Sequence, residues 1–316
     1  MKIEDIKVVA VLGANGAMGQ QIGMNVALAG RAYGYKVVMY GRRPEAMEKT
    51  HAWADKYLAG RVEKGRITQE EADKVSANIS YSTNLEEAVK DADLVIEAVK
   101  EDLQIKRDTL SAVSKVVKAD TIIGTNSSNI CSSKLADVVV NPQRLLNMHY
   151  FNPALVMKLV ELVRNPHTND ETVETAKAFC LNTDKSPITI NKEISGFVAN
   201  RINAAVTREA CNLLEKGIAS IEDIDTACEK GLGYPHGPLQ ADGYDRSGRE
   251  LLCPPRPLRR ERRPQRHAQL LRCGQGHQGR VRPQDRQGLV RVPRQEVISL
   301  FLRADTTFGP APAPRP

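Results

Sequence analysis

Long apolar runs are missing from this chain of 316 residues. The strongest, around residues 8–12 and 94–96, fall far short of the roughly 20 consecutive apolar residues that cross a bilayer, so no membrane partner is expected. No apolar stretch with a small-residue cleavage site follows Met1, and the chain reads as cytoplasmic. Cysteine is scarce: the six present form no C-x-x-C pair and no His/Cys cluster at zinc spacing, so reduced thiols and no metal are expected. Lysine is missing altogether after Lys230. That absence divides the chain into two compositional regimes.

Residues 1–240 hold 19 Lys and 10 Arg against 31 acids, a net charge of −2, whereas residues 241–316 hold 16 Arg against 7 acids, a net charge of +9. Ten of the 17 prolines also lie in that last stretch. The overall charge of +7 therefore describes the tail and not the body of the protein. A basic tail could suggest nucleic acid. Tyr244 is its one aromatic before Phe301, too few for base stacking, so no nucleic-acid partner is expected.

What is present in the body is alternation. A β-branched run at residues 7–12 leads through a glycine-rich turn into a helical pattern at 18–29, and a second strand pattern follows at 35–40, a βαβ unit. Residues 44–75 read as a polar helical hairpin broken near Gly65. Strand patterns recur at 79–82, 94–98, 121–125, 144–150 and 156–163, with helices at 85–90, 104–117 and 171–181 between or after them. This predicts an α/β fold, a Rossmann-like doubly wound parallel sheet over residues 1–190. Helices alone, at 197–216 and 221–232, predict a short all-helical domain over 191–240.

The turn Gly13-Ala-Asn-Gly16-Ala-Met18-Gly19 lies where backbone N–H groups and a helix N-terminus can receive a pyrophosphate. A tight turn without ligand is the plainer alternative. At the tip of the second strand, where an acid would bind the ribose 2′-hydroxyl of NAD, the sequence has Gly41-Arg42-Arg43. Two guanidinium groups in place of an acid suit a 2′-phosphate, so NADP is favoured over NAD, unless the pair is only a solvated turn.

Several motifs together carry a family resemblance. They are Asp93-Leu-Val-Ile-Glu-Ala98 with Glu101 and Lys106, Thr125-Asn-Ser-Ser128, Met148-His-Tyr-Phe-Asn-Pro153, Met157-Lys-Leu-Val-Glu161, Gly196-Phe-Val-Ala-Asn-Arg201 and Gly233-Tyr-Pro-His-Gly-Pro238. Over about residues 6–240 the chain resembles the L-3-hydroxyacyl-CoA dehydrogenases, especially the bacterial 3-hydroxybutyryl-CoA type. The resemblance implies reversible oxidation of 3-hydroxyacyl-CoA to 3-oxoacyl-CoA, in fatty-acid or butyrate metabolism, by a homodimer. It implies that His149 is the general base, that Glu161 orients it, and that Ser128 and Asn200 hold the reacting oxygen. An imidazole that titrates near neutral pH suits the first role on chemical grounds.

By the same resemblance Glu101 and Lys106 contact the cofactor, Asn152 supports either the network at the reacting oxygen or the nicotinamide ribose, and Lys64 meets the phosphates of coenzyme A. A surface ion pair is the alternative for Glu101 and Lys106, and a solvated face for Lys64. A non-catalytic dinucleotide-binding or structural protein of the same fold is the alternative for the whole chain.

Two departures stand out. The glycine turn carries one residue more after Gly13 than G-x-G-x-x-G, and the helical ending of the family is not visible after Gln240. With one choice of codons (ccg caa gac cgg caa ggg ctg gta, the next starting with c), Pro283-Gln-Asp-Arg-Gln-Gly-Leu-Val290 read one base later becomes Arg-Lys-Thr-Gly-Lys-Gly-Trp-Tyr, which resembles that ending. The same offset turns residues 241–251 into Leu-Met-Ala-Met-Thr-Gly-Arg-Asp-Val-Asn, a helix-compatible continuation. Residues 241–316 therefore read as a displaced frame, expected to be disordered, that leaves the helical domain incomplete and weakens dimerisation and activity.

Overall fold

The structure, a computed structural model, describes residues 1–241; the displaced frame and the disorder expected of the tail lie outside the described residues, apart from Ala241. All the described residues belong to one compact unit. Its centre is an eight-stranded sheet in the order β3-β2-β1-β4-β5-β6-β7-β8. The strands are β1 (Val8–Leu12), β2 (Lys36–Tyr40), β3 (Ile79–Ser82), β4 (Leu94–Glu97), β5 (Ile122–Thr125), β6 (Leu145–Tyr150), β7 (Leu159–Arg164) and β8 (Ser186–Ile190). Helices α1 (Ala17–Tyr33), α2 (Pro44–Glu63), α3 (Gln69–Ala77), α4 (Leu85–Val89), α5 (Leu103–Ser114) and α6 (Asp170–Asn182) connect them.

Strands covered on both faces must be apolar throughout, and β1, β4, β5 and β6 are buried along nearly their whole length. Two apolar clusters flank them. One joins Val9, Val11, Ile22, Met24, Leu94, Ile96 and Phe179, and the other joins Ala10, Leu12, Val95, Leu110 and Val113. Alternate side chains of β1 and β4 thus serve opposite faces. The order reverses between β1 and β4, which places a crevice at the carboxyl ends of these strands.

The sheet is parallel except between β6 and β7, which pair antiparallel. Helices α7 (Ala199–Glu215), α8 (Ile221–Thr226) and α9 (Pro238–Ala241) follow the sheet. They share a small core of Ala210, Ile221, Ile224 and Leu239. Strand β8 escapes sequence reading because it is an edge strand with Pro187 inside it and little buried surface. Strand β7 starts three residues later than its apolar pattern suggests. The Lys185 ammonium binds the carbonyls of Ala154 (2.6 Å) and Met157 (3.0 Å), which holds residues 154–157 in a turn. No helix among the described residues is long and apolar enough to cross a membrane.

Candidate active site

The antiparallel pairing of β6 and β7 sets the chemistry. It places His149 directly opposite Glu161, and the His149 Nδ1 lies 2.8 Å from Glu161 Oε2. Both side chains are buried, Glu161 completely. The other carboxylate oxygen, Oε1, accepts the N–H groups of Val198 (3.1 Å) and Ala199 (2.9 Å) at the start of α7. A buried carboxylate needs such donors. With Nδ1–H donated to Glu161, the lone pair of Nε2 faces Ser128 Oγ at 3.0 Å. The result is a chain from Ser128 through His149 to Glu161.

Ser128 sits on the loop after β5. Asn147, buried in β6, fixes that loop by donating to the carbonyls of Ser127 (3.3 Å) and Ile130 (3.0 Å) and by accepting the Ser132 N–H (2.8 Å). Asn126 accepts the Tyr150 N–H at 2.9 Å, which ties the same loop to the end of β6. Asn126 lay inside one motif and Asn147 one residue before another, and neither carried a role on sequence grounds. A buried amide in an apolar strand was the signal that marked Asn147. Asn152 is exposed after β6, and Asn200 is exposed in the first turn of α7, one residue beyond the N–H groups that hold Glu161.

The glycine turn opens the crevice. Gly13 has φ +76°, and a Cβ there would lie 2.6 Å from the Ala98 carbonyl oxygen, so only glycine fits. A Cβ at Gly19 would lie 2.4 Å from the Gly13 carbonyl oxygen, so α1 can start this close only on glycine. No side chain caps α1 at Gly16, and its first N–H groups are left to a ligand. The added residue is absorbed by burial: Ala14 is fully buried in the core, and Met18 packs against it. A cleft of about 400 Å³ runs from this turn past Tyr40, Gly41 and Arg42 to Ala98, Val99 and Ile105. A dinucleotide fits these features: a glycine cradle, an uncapped helix start and an apolar slot at the crevice.

Arg42 and Arg43 are exposed at the far end, where they form a polar recess with Asn15. Neither arginine pairs with a carboxylate among the described residues, and Arg43 does not cap α2 with its side chain. Asn15 had no role on sequence grounds. It is the residue that the longer glycine turn extends toward Gly41, whose Cβ would lie 2.9 Å from Asn15 Oδ1.

Lys106 is not a surface cation. It is 1% exposed, 2.8 Å from Glu97 Oε1 and 3.3 Å from Glu101 Oε2. Thr125 donates to the other oxygen of Glu97 at 2.7 Å. Buried charge is tolerable only when paired in this way. Glu101 accepts from the Ser127 hydroxyl (2.5 Å) and the Asn129 N–H (3.2 Å), and so braces the Ser128 loop. Partial burial pushes its carboxyl up, but the Ser127 hydroxyl and the Lys106 ammonium outweigh this and hold it below the ordinary range. Lys64 caps the far end of α2, about 30 Å from Arg43 at the helical rise. The structure does not bring those two cations together.

Residues 8–194 match 3-hydroxyacyl-CoA dehydrogenase, NAD binding domain, and residues 196–251 match 3-hydroxyacyl-CoA dehydrogenase, C-terminal domain. The chain is similar to 3-hydroxybutyryl-CoA dehydrogenase of Clostridioides difficile, 35% identical over 230 residues that cover 73% of this chain and 79% of that one. It is 37% identical over 235 residues to probable 3-hydroxybutyryl-CoA dehydrogenase of Bacillus subtilis, covering 74% and 79%.

Among solved structures, (S)-3-hydroxybutyryl-CoA dehydrogenase of Ralstonia eutropha matches with a TM-score of 0.71 and 34% identity over 76% of this chain and 82% of that chain. For 3-hydroxybutyryl-CoA dehydrogenase of Escherichia coli K12 the TM-score is 0.72 and the identity 33%, and 76% of this chain matches about half, 49%, of that one. A crevice with a glycine cradle, a buried His–Glu pair on β6 and β7 and these matches lead to one conclusion: the chain belongs to the 3-hydroxyacyl-CoA dehydrogenase family, an oxidoreductase with a NAD-binding domain.

Proposed function

We propose that this protein oxidises (S)-3-hydroxyacyl-CoA reversibly to 3-oxoacyl-CoA, with His149 as the general base. The observation that carries this reading is the Ser128–His149–Glu161 chain, whose Ser128 loop is braced by Glu101 next to the cleft residues Ala98, Val99 and Lys100. A bound nicotinamide supplies the acceptor for the hydride that leaves C3. The residues of the chain manage the proton. His149 Nε2 takes it from the 3-hydroxyl, Glu161 stabilises the imidazolium that forms, and Ser128 Oγ orients the oxygen. Asn200, next to the held start of α7, is the second candidate for that oxygen, while Asn152 and the Gly13, Gly16, Met18 and Gly19 turn serve the cofactor.

A binding protein without chemistry has no use for a buried carboxylate aligned on an imidazole. Turnover of acetoacetyl-CoA, followed by loss of reduced cofactor, tests the reading, and no turnover by a folded protein ends it. The comparison of NADH with NADPH in the same assay tests a finer point. The recess of Asn15, Arg42 and Arg43, whose guanidinium groups pair with no carboxylate among the described residues, supports a preference for the 2′-phosphate. A clear preference for NADH overturns that part alone.

The tail bears on assembly. Helix α7 exposes Ile202 (59%), and Ile218 and Leu232 beyond it are each 67% exposed. Such a surface supports pairing with further helices and with a second copy, the segment that a restored frame would encode. The family match ends at residue 251. DNA sequence through codon 241 decides: an intact frame giving this same tail removes the proposal.

A further inference from the structure

The turn at residues 196–199 has an unusual backbone. Gly196 (φ +77°) and Phe197 (φ +44°) both lie in the left-handed region. Glycine accepts it freely, whereas a bulky aromatic residue does so only where its surroundings compel it. The compulsion is visible. Phe197 is fully buried with Cys131, Val163 and Ile190. Its ring centroid lies 5.4 Å from that of His149, and Phe151 touches the same imidazole at 4.6 Å.

A left-handed residue followed by a right-handed one turns successive N–H groups toward one point and makes a concave anion-binding nest, and Phe197 followed by Val198 (φ −90°, ψ −58°) is such a pair. Here the N–H groups of Val198 and Ala199 converge on Glu161 Oε1. The segment just before is fastened to the other half of the site. Glu193 accepts from the Ser132 hydroxyl (3.1 Å) and the Ser133 N–H (2.9 Å), and the Ser195 hydroxyl donates to the Asn129 carbonyl at 3.2 Å.

We propose that this turn is a positioning element for the His149–Glu161 pair, with Phe197 as its positioning residue. The nest pins Oε1 and thereby presents Oε2 to His149, while the Phe197 ring shields the imidazole from water. Docking of α7 and orientation of the base are then one equilibrium, because the N–H groups that hold Glu161 begin that helix. The proposal rests on the reading of His149 as the base, but its test needs no turnover. Glu161 is the charged group in contact with the imidazole; Ser128, Phe151 and Phe197 on the other elements carry none.

The experiment is a pH titration of the histidine ring signals of the full chain by NMR, with His149 assigned through H149Q. In F197G the backbone keeps φ +44° without strain and the nest survives, but water reaches the ring. The imidazole then meets solvent, so the His149 titration should depart from that of the unaltered chain, and F197L should return most of the change. A folded F197G whose His149 titrates as in the unaltered chain overturns the proposal; a merely structural Phe197 would lower thermal stability and leave that titration in place. If F197G does not fold, the unaltered chain decides. The amide signals of Val198 and Ala199 should move with the same midpoint as His149, and amides that stay flat through it overturn the proposal. Absent acyl-CoA turnover with these couplings intact would count against the activity and not against the positioning role.

Discussion

The two ends of the crevice are built on opposite plans. At the His149 end, both oxygens of Glu161 and both ring nitrogens of His149 have partners, and both side chains are buried. At the arginine end, Arg42 and Arg43 stand exposed around an open recess. The difference teaches where each kind of work belongs. Proton transfer needs groups fixed before the substrate arrives, since reorganisation during reaction raises the barrier. Recognition of a phosphate tolerates mobile cations that close on the ligand and lose entropy only on binding.

Substitutions should therefore separate the two ends. The largest effect is expected for His149→Gln, which keeps size and polarity but removes the base: kcat should fall by between about 10² and 10⁴ with thermal stability nearly unchanged. A retained kcat would remove the distinction between the ends. Glu161→Gln should lower kcat by about 10²-fold, since the amide can still occupy the site but cannot neutralise an imidazolium. Steady-state kinetics of the two variants rank them.

The arginines should act on binding instead. Replacing Arg42 and Arg43 by Ala should weaken NADPH binding by about 10- to 100-fold, the worth of a charge-assisted hydrogen bond or two, with NADH affinity changed little. Fluorescence titration of both reduced cofactors reads the ratio, and equal losses would make the recess a general surface feature. The smallest effect concerns Glu101, whose carboxyl is held below its ordinary value of 4.5. A depressed carboxyl contributes stability above its unfolded value and loses it as pH falls through the folded one. Glu101→Gln should thus flatten the drop in Tm below about pH 4.5, slightly, because the side chain is 42% exposed.

Much of this was legible in the chain itself. The strand runs of β1 and β4 to β6 are apolar because both their faces are covered, and the positive φ of Gly13 follows from a turn that no side chain could enter. Other features had no local signal. Lys106 looks like any helix lysine, and only the fold carries Glu97 and Glu101 to either side of it. The late start of β7 depends on Lys185, which lies on the other side of α6 in sequence. Asn15 acquires a neighbour at Gly41 only when β1 and β2 lie side by side.

Sequence by itself determined strands β1 to β6, the glycine turn and the residue types of the active pair, because periodicity and turn chemistry are local properties that survive without the rest of the molecule. Tertiary structure alone decided that β6 and β7 run antiparallel, that His149 therefore lies directly opposite Glu161, and that a strained Phe197 packs against the imidazole. These depend on contacts between segments 12 to 48 residues apart, whose register no stretch of either segment encodes.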